Sequence, residues 1–309
     1  ISSAGSVKWK KQVDGQILGD IQQIDVYGNG KYQMLFNTKN KVYLLDINGN
    51  HVSGFPVNLS SFATAQLAVF DYENNHNYRI LIPAEGGKVL NYDKQGKIVT
   101  GWEFKNAASN VISQPEHHVI ANKDYIHFYD ELGGVYVLDR RGRGRHTVNA
   151  KFQDSFDQVS FIEGRSIGTC RYVYSDSLNN VHQLAFDGSV KVVKSDSSGG
   201  QIFHGVVDFE QDGFKDLMIQ NGKNIEVFGP DMSLLKYIEV GTDVIAGYYY
   251  ESGSSLFYTI KDREFEILND FGERLPDYPE NADFPPGISD MNKDGKTDLI
   301  LVSGTKVRA

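Results

Sequence analysis

The sequence predicts an all-β protein: a seven-bladed β-propeller of four-stranded antiparallel blades, its last blade closed by N- and C-terminal strands. Three observations carry this prediction. Four short apolar or aromatic runs recur with a period of about 44 residues. Turns rich in Gly, Asn and Asp separate those runs. The pattern that the chain leaves unfinished at its end is the one with which it begins.

The first copy runs IQQIDVYGNGKYQMLFNTKNKVYLLDINGNHVSGFPV, Ile21 to Val57, and the second LAVFDYENNHNYRILIPAEGGKVLNYDKQGKIVTGWEF, Leu67 to Phe104. Their apolar runs are short and rich in Val, Ile, Leu and Tyr, which suits strands; helices need ten or more periodic residues. Each copy thus holds strands a, b, c and d. The turn between c and d recurs as DINGN, DKQGK, DRRGR, FDGS, GPDMS and NDFGE, marked by Asp46, Asp93, Asp139, Asp187, Gly229 and Asn269. Gly or Asn there supplies the positive φ that tight hairpins require.

Six units follow directly, at approximately 15–58, 62–105, 107–150, 151–195, 200–241 and 242–281. The seventh is split. Residues 282–309 supply strands a and b and the start of c, and 1–14 supply strand d, with Trp9 near the position of Phe55 and Trp102. Pairing the two ends removes open sheet edges and makes 1–309 a single domain. Two β-sandwich domains would not produce seven similar modules at one period. Trp9, Phe55 and Trp102 recur once per blade, which points to packing between blades rather than to a sugar-stacking platform.

Composition limits the function classes. Hydrophobic residues make up 40% of the 309, with 17 Tyr and 18 Phe, ample for a core. Thirty-one Lys and Arg against 40 Asp and Glu leave a net charge of −9, which disfavours nucleic acid and anionic membranes as partners. No run of 18 apolar residues provides a membrane span, so membrane insertion by this domain is not expected. The chain opens at Ile1, without Met and in mid-pattern, as a piece of a longer or processed protein would. Cys170 has no cysteine partner and reads as a small buried apolar residue.

The sharpest chemical signal is the a–b loop DMNKDGKTD of the split blade. It places oxygen side chains at Asp290, Asn292, Asp294 and Asp298 around Gly295, with the backbone carbonyl of Lys296 as a further ligand. Calcium takes six to eight such oxygens. Unit five repeats the pattern as DFEQDGFKD, with Asp208, Glu210, Asp212 and Asp216. In unit one Tyr27 and Gln33 stand at ligand positions, and in unit two Arg79 ends the loop, so neither is expected to hold metal. An EF-hand is excluded, because Leu301 stands where its bidentate Glu belongs. The bland alternative is an Asp/Asn/Gly hairpin whose side chains bond backbone N–H groups without metal.

With these residues in view, the loops resemble the FG-GAP or VCBS repeats of integrin-alpha-type propellers, D-x-[DN]-x-D-G-x-x-D before an apolar strand. GKVLNYDKQGKIVTGWEF and KVYLLDINGNHVSGFPV resemble segments of exported bacterial propellers, and the whole chain is similar to the C-terminal propeller of an uncharacterised family of bacterial cell-envelope proteins. The resemblance implies an exported, periplasmic or cell-surface location and structural Ca2+ at the two loops. Units three, four and six depart from the loop pattern.

Other motifs carry less. RRGRGRH, Arg140 to His146, grips a phosphate or acidic glycan, or is a solvated turn; the absence of a wider basic face favours the turn. His117, His118 and His127 suggest a transition-metal site, but strand neighbours point to opposite faces, so the first two cannot share one ligand sphere. Only two Trp argue against a quinoprotein, and no G-x-S-x-G or phosphate loop is present. The expected role is a non-enzymatic interaction or scaffold domain, monomeric, binding a protein or glycan and free of organic cofactors. The alternative is a carbohydrate-active enzyme, a glycosidase or lyase, with its carboxylates at the central funnel. A third is a domain that merely supports a partner elsewhere in a longer chain.

Overall fold

A computed structural model describes residues 7–153, 155–196, 200–240, 247–251, 254–276, 280–283, 287–289, 298–303 and 306–308. These residues form seven antiparallel meander sheets, five of four strands and two of three. The first holds Gln22–Ile24, Gln33–Asn37, Lys41–Leu45 and Val57–Asn58. Ala68–Phe70, Arg79–Ala84 and Lys88–Asp93 make the second. The third comprises Glu116–Ile120, Lys123–Tyr129, Gly134–Leu138 and Gly144–Lys151, and the fourth Phe156–Ile162, Arg171–Asp176, Val181–Ala185 and Val190–Lys194. Gln201–Val207, Asp216–Asn221, Asn224–Phe228 and Leu234–Glu239 form the fifth. Gly247–Glu251, Ser254–Lys261, Glu264–Leu268 and Glu280–Asn281 follow as the sixth, then Gly287–Ser289, Asp298–Ser303 and Lys306–Arg308 as the seventh. Among the described residues the helical content is one 3-10 turn, Ile167–Thr169, and no helix is long and apolar enough to cross a membrane.

The chain divides into two compact units, one of Ile1–Gln153, Glu163–Arg171 and Leu184–Val190, the other of Asp154–Ile162, Tyr172–Gln183 and Lys191–Ala309. In the first, Leu35, Val42 and Leu44 of sheet one meet Ile80, Ile82 and Tyr92 of sheet two. Leu81 and Val89, on the other face of sheet two, meet Ile126, Phe128 and Leu138 of sheet three. In the second, Val207, Met218 and Val227 of sheet five pack on Phe257 and Leu268 of sheet six. Strands covered on both faces read as continuous apolar runs, and each buried Leu, Ile or Phe contributes about 2 kcal/mol.

The predicted c–d turns form as one repeated device. Asp46, Asp93 and Asp139 each accept backbone N–H groups two and four residues on, and Asn269 does the same. The third residue on is a glycine at positive φ in all four, Gly49, Gly96, Gly142 and Gly272. In sheet five, which lacks that glycine, Met232 takes the position at φ 68°.

Each such turn is also a docking point for the strand-d segment of the preceding unit. Gly96 lies under Val57 and Gly54, Gly142 under Trp102 and Phe104, and Gly272 under Glu239 and Ile238. Trp9 stands in the same relation to Gly49, its indole Nε1–H donating to the Ile47 carbonyl at 2.8 Å. The N-terminal segment therefore occupies, against sheet one, the place that a d segment occupies against the sheet that follows it. Residues 7–13 pair with no strand among the described residues, which departs from the expected d strand: the contact is made by side chains, with Trp9 and Val13 against Phe36, Tyr43 and Leu45.

Candidate functional site

Three a–b loops share one backbone. Their fourth and sixth residues sit at positive φ: Gly28 and Gly30, Asn74 and His76, Gln211 and Gly213. In each, the first aspartate accepts the N–H of the sixth residue: Asp25 from Gly30, Asp71 from His76, Asp208 from Gly213. The fifth residue's side chain accepts the N–H two further on, from Asn29 to Lys31, Asn75 to Asn77 and Asp212 to Phe214.

Loop five differs from its relatives in charge and in what it leaves unmet. Asp25 and Asp71 each use their second oxygen to accept the fifth residue's N–H. Asp208 does not, and its Oδ1 is buried with no hydrogen-bond partner. At the ninth position Gln33 accepts the Val26 N–H through a neutral amide, whereas Asp216 accepts the Phe209 N–H through a carboxylate only 2% exposed. Burial pushes the Asp216 carboxyl above its ordinary range, the Phe209 N–H pulls it back, and the charges of Asp212, Glu210 and Asp208 push it up again. In Asp25 burial is outweighed by the N–H groups of Gly30 and Asn29, and its carboxyl is held low. A buried acceptor without a donor inside a set of repelling carboxylates is the chemistry that a hard cation relieves. Asp208, Glu210, Asp212 and Asp216 supply oxygens of the kind a calcium ion takes, but no three of them bring their carboxylate oxygens within 4.8 Å of one another.

The split-blade set, Asp290, Asn292, Asp294 and Lys296, lies outside the described residues; of its fifth member, Asp298, only the backbone is described, opening the strand Asp298–Ser303.

The arginine run is not a free basic patch. Arg140 pairs with Glu73 and Asp124 and lies 4.6 Å from the Tyr72 ring centre. Arg143 pairs with Asp139, Arg145 covers Tyr125, and His146 bonds the Phe186 carbonyl. The turn lies at the surface, with Arg141, Arg143 and Arg145 exposed, and these contacts tie it to its neighbours. Cys170 is fully buried and its thiol is pushed up by burial, as expected of an inert core residue.

His117 and His118 do point to opposite faces. His117 bonds Asp124 at 2.8 Å on one side, while His118 bonds Glu163 at 2.8 Å on the other and stacks on His127, ring centres 5.0 Å apart. What the histidine count missed is Glu116. Glu116, His118 and His127 are the group whose ligand atoms come within 4.8 Å of one another among the described residues. The signal was present in the hairpin. Ala121 and Asn122, both at positive φ, form a two-residue turn between Ile120 and Lys123, and that register sets Glu116 opposite His127.

No family model and no curated protein matches the sequence. The structure is similar to that of BBS1N, solved in complex with ARL6DN, at a TM-score of 0.56 and 10% identity over 94% of this chain and 90% of that one. It is similar also to dihydro-heme d1 dehydrogenase NirN, at 0.58 and 16% identity over 92% of this chain and 61% of that one. The fold is of the β-propeller type. At these identities the likeness extends to the fold alone.

Proposed function

We propose that this chain is a non-enzymatic, protein-binding propeller of an exported bacterial protein. It has seven blades, the last completed by the N-terminal segment, and structural calcium in its a–b loops at Asp208–Asp216 and Asp290–Asp298.

The observation that carries the binding role is an open groove of about 540 Å³ on the first sheet, lined by Gln23, Gly30, Lys31, Tyr32, Gln33, Met34 and Ile47. Tyr32 is 58% exposed and Ile47 70%, with Tyr27 exposed nearby. An apolar floor with aromatic and Met side chains under a polar rim has the composition of a protein-binding surface. The lining contains no Asp or Glu, whereas a glycosidase needs two carboxylates across its cleft. Partner binding is also consistent with the fold's use in BBS1N, whose structure was solved as a complex with ARL6DN.

The test is site-specific photo-crosslinking from position 32 in cells that make the parent protein. A discrete protein adduct that disappears with Ile47→Asp is expected. The absence of an adduct, together with turnover of a glycan by the purified chain, would overturn the proposal in favour of the carbohydrate-active alternative. The calcium component is read separately: chelation lowers the melting temperature of the wild type but not of the double variant Asp212→Ala, Asp294→Ala, and equal melting of the wild type with and without chelator removes it.

A further inference from the structure

We propose that Glu116, His118 and His127 form a binding site for a divalent transition-metal ion of the zinc class, with Glu163 orienting His118. The argument begins with strand geometry. Glu116 and His118 are two apart on one strand and so share a face. His127 lies directly across the hairpin from Glu116, on that same face. Three side chains from two strands are thereby delivered to one point by the register itself.

The atoms are disposed as a coordination sphere requires. Nδ1 of His118 is taken by the Glu163 carboxylate at 2.8 Å, which leaves Nε2 to face the Glu116 carboxylate at 3.5 Å. A tetrahedral ion with bonds of about 2.0–2.1 Å separates its ligand atoms by roughly 3.3 Å, so the His118–Glu116 pair already has nearly the right spacing. The third atom, from His127, is within 4.8 Å of both. A carboxylate on the far nitrogen of a ligating histidine fixes its tautomer and strengthens it as a donor. Glu163 is placed to do this.

The environment agrees with the geometry. His127 is 1% exposed, and burial, then the charges of His118 and His117, hold it well below its ordinary pKa. Burial pulls His118 down too, but Glu116 and Glu163 outweigh it and hold it above its ordinary value. Two imidazoles and a carboxylate select a zinc-class ion over calcium or magnesium, which prefer oxygens alone. Glu116 is about half exposed, so a fourth position is open to water. The ion would clamp the first two strands of sheet three to the segment carrying Glu163, all within one compact unit.

The experiment is titration of the full chain with Zn2+, with Co2+ as a spectroscopic probe and with Ca2+ as comparison. One-to-one zinc binding is expected, with a rise in melting temperature that calcium does not give at this site and a tetrahedral Co2+ absorption band. His118→Gln abolishes the band. Glu116→Gln, on an exposed side chain that does not endanger folding, weakens zinc at least about tenfold, and Glu163→Gln weakens it about 10–100-fold. His117→Gln, on the opposite face, leaves zinc binding unchanged. No saturable zinc binding by the wild type, binding that survives in His118→Gln, or binding lost in His117→Gln would each overturn the assignment.

Discussion

At the scale of single residues, two buried carboxylates carry opposite electrostatic burdens. The Asp216 carboxyl is raised, so the fold favours its protonated form. Its contribution to stability is complete below the unfolded value and is lost as pH rises through the folded one. Calcium-free protein therefore gains stability on mild acidification, and Asp216→Asn raises its melting temperature. An amide oxygen accepts the Phe209 N–H as Gln33 accepts that of Val26, without the repulsion. The same substitution makes the calcium-induced rise smaller by the share that loop five contributes, which scanning calorimetry with and without calcium will read. Asp176 is the reverse case. Burial works against its charge, but hydrogen bonds from Asn180, His182 and the Leu178 N–H hold its carboxyl down at about 2. Its stabilisation is present above the unfolded value near 4 and is lost as pH falls toward about 2. Asp176→Ala, which leaves those donors buried without an acceptor, costs about 3 kcal/mol at neutral pH. It also flattens the acid limb of the denaturation midpoint measured against pH.

At the scale of elements, the c–d turn separates two costs that a glycine substitution incurs. Gly188 is at φ 94°, but an added Cβ would meet nothing nearer than 3.7 Å, so Gly188→Ala carries the backbone cost alone, about 1 kcal/mol. Gly272, at φ 81°, would place its Cβ 1.9 Å from the Glu239 carbonyl oxygen, and Gly272→Ala adds that clash to the same backbone cost. Denaturant melts should rank Gly272→Ala well below Gly188→Ala, and the reverse order would mean that the turns are not docking points. These turns were legible in the sequence because their chemistry is local: Asp or Asn, then Gly three residues on, at an interval of about 44 residues. The a–b loops were half legible. Their shared first residues announce a common backbone, but whether Oδ1 of the first aspartate is met depends on three-dimensional placement that Asp25 and Asp208 do not reveal as letters. The Glu116, His118 and His127 group was hidden for another reason. Counting histidines drew attention to adjacent residues, whereas the convergence depends on a hairpin register that pairs positions eleven apart.

At the scale of the whole molecule, the proposed seam makes a demand that the local contacts of Trp9 do not. If residues 1–13 served only to cover sheet one, their deletion would cost what the loss of a half-buried indole and its hydrogen bond to Ile47 costs, about 2–3 kcal/mol. Trp9→Ala would then reproduce the deletion. If the segment also completes the seventh sheet, the deletion leaves Lys306–Arg308 as an uncovered edge strand and breaks the closure that ties the two chain ends together. The proposal therefore predicts that the deletion lowers the melting temperature by more than Trp9→Ala and does so in one cooperative transition. It further predicts faster hydrogen exchange at the amides of Lys306–Arg308. Faster exchange confined to Gln33–Leu45 would place the segment on sheet one alone, and the seam would then have to be drawn elsewhere in the chain.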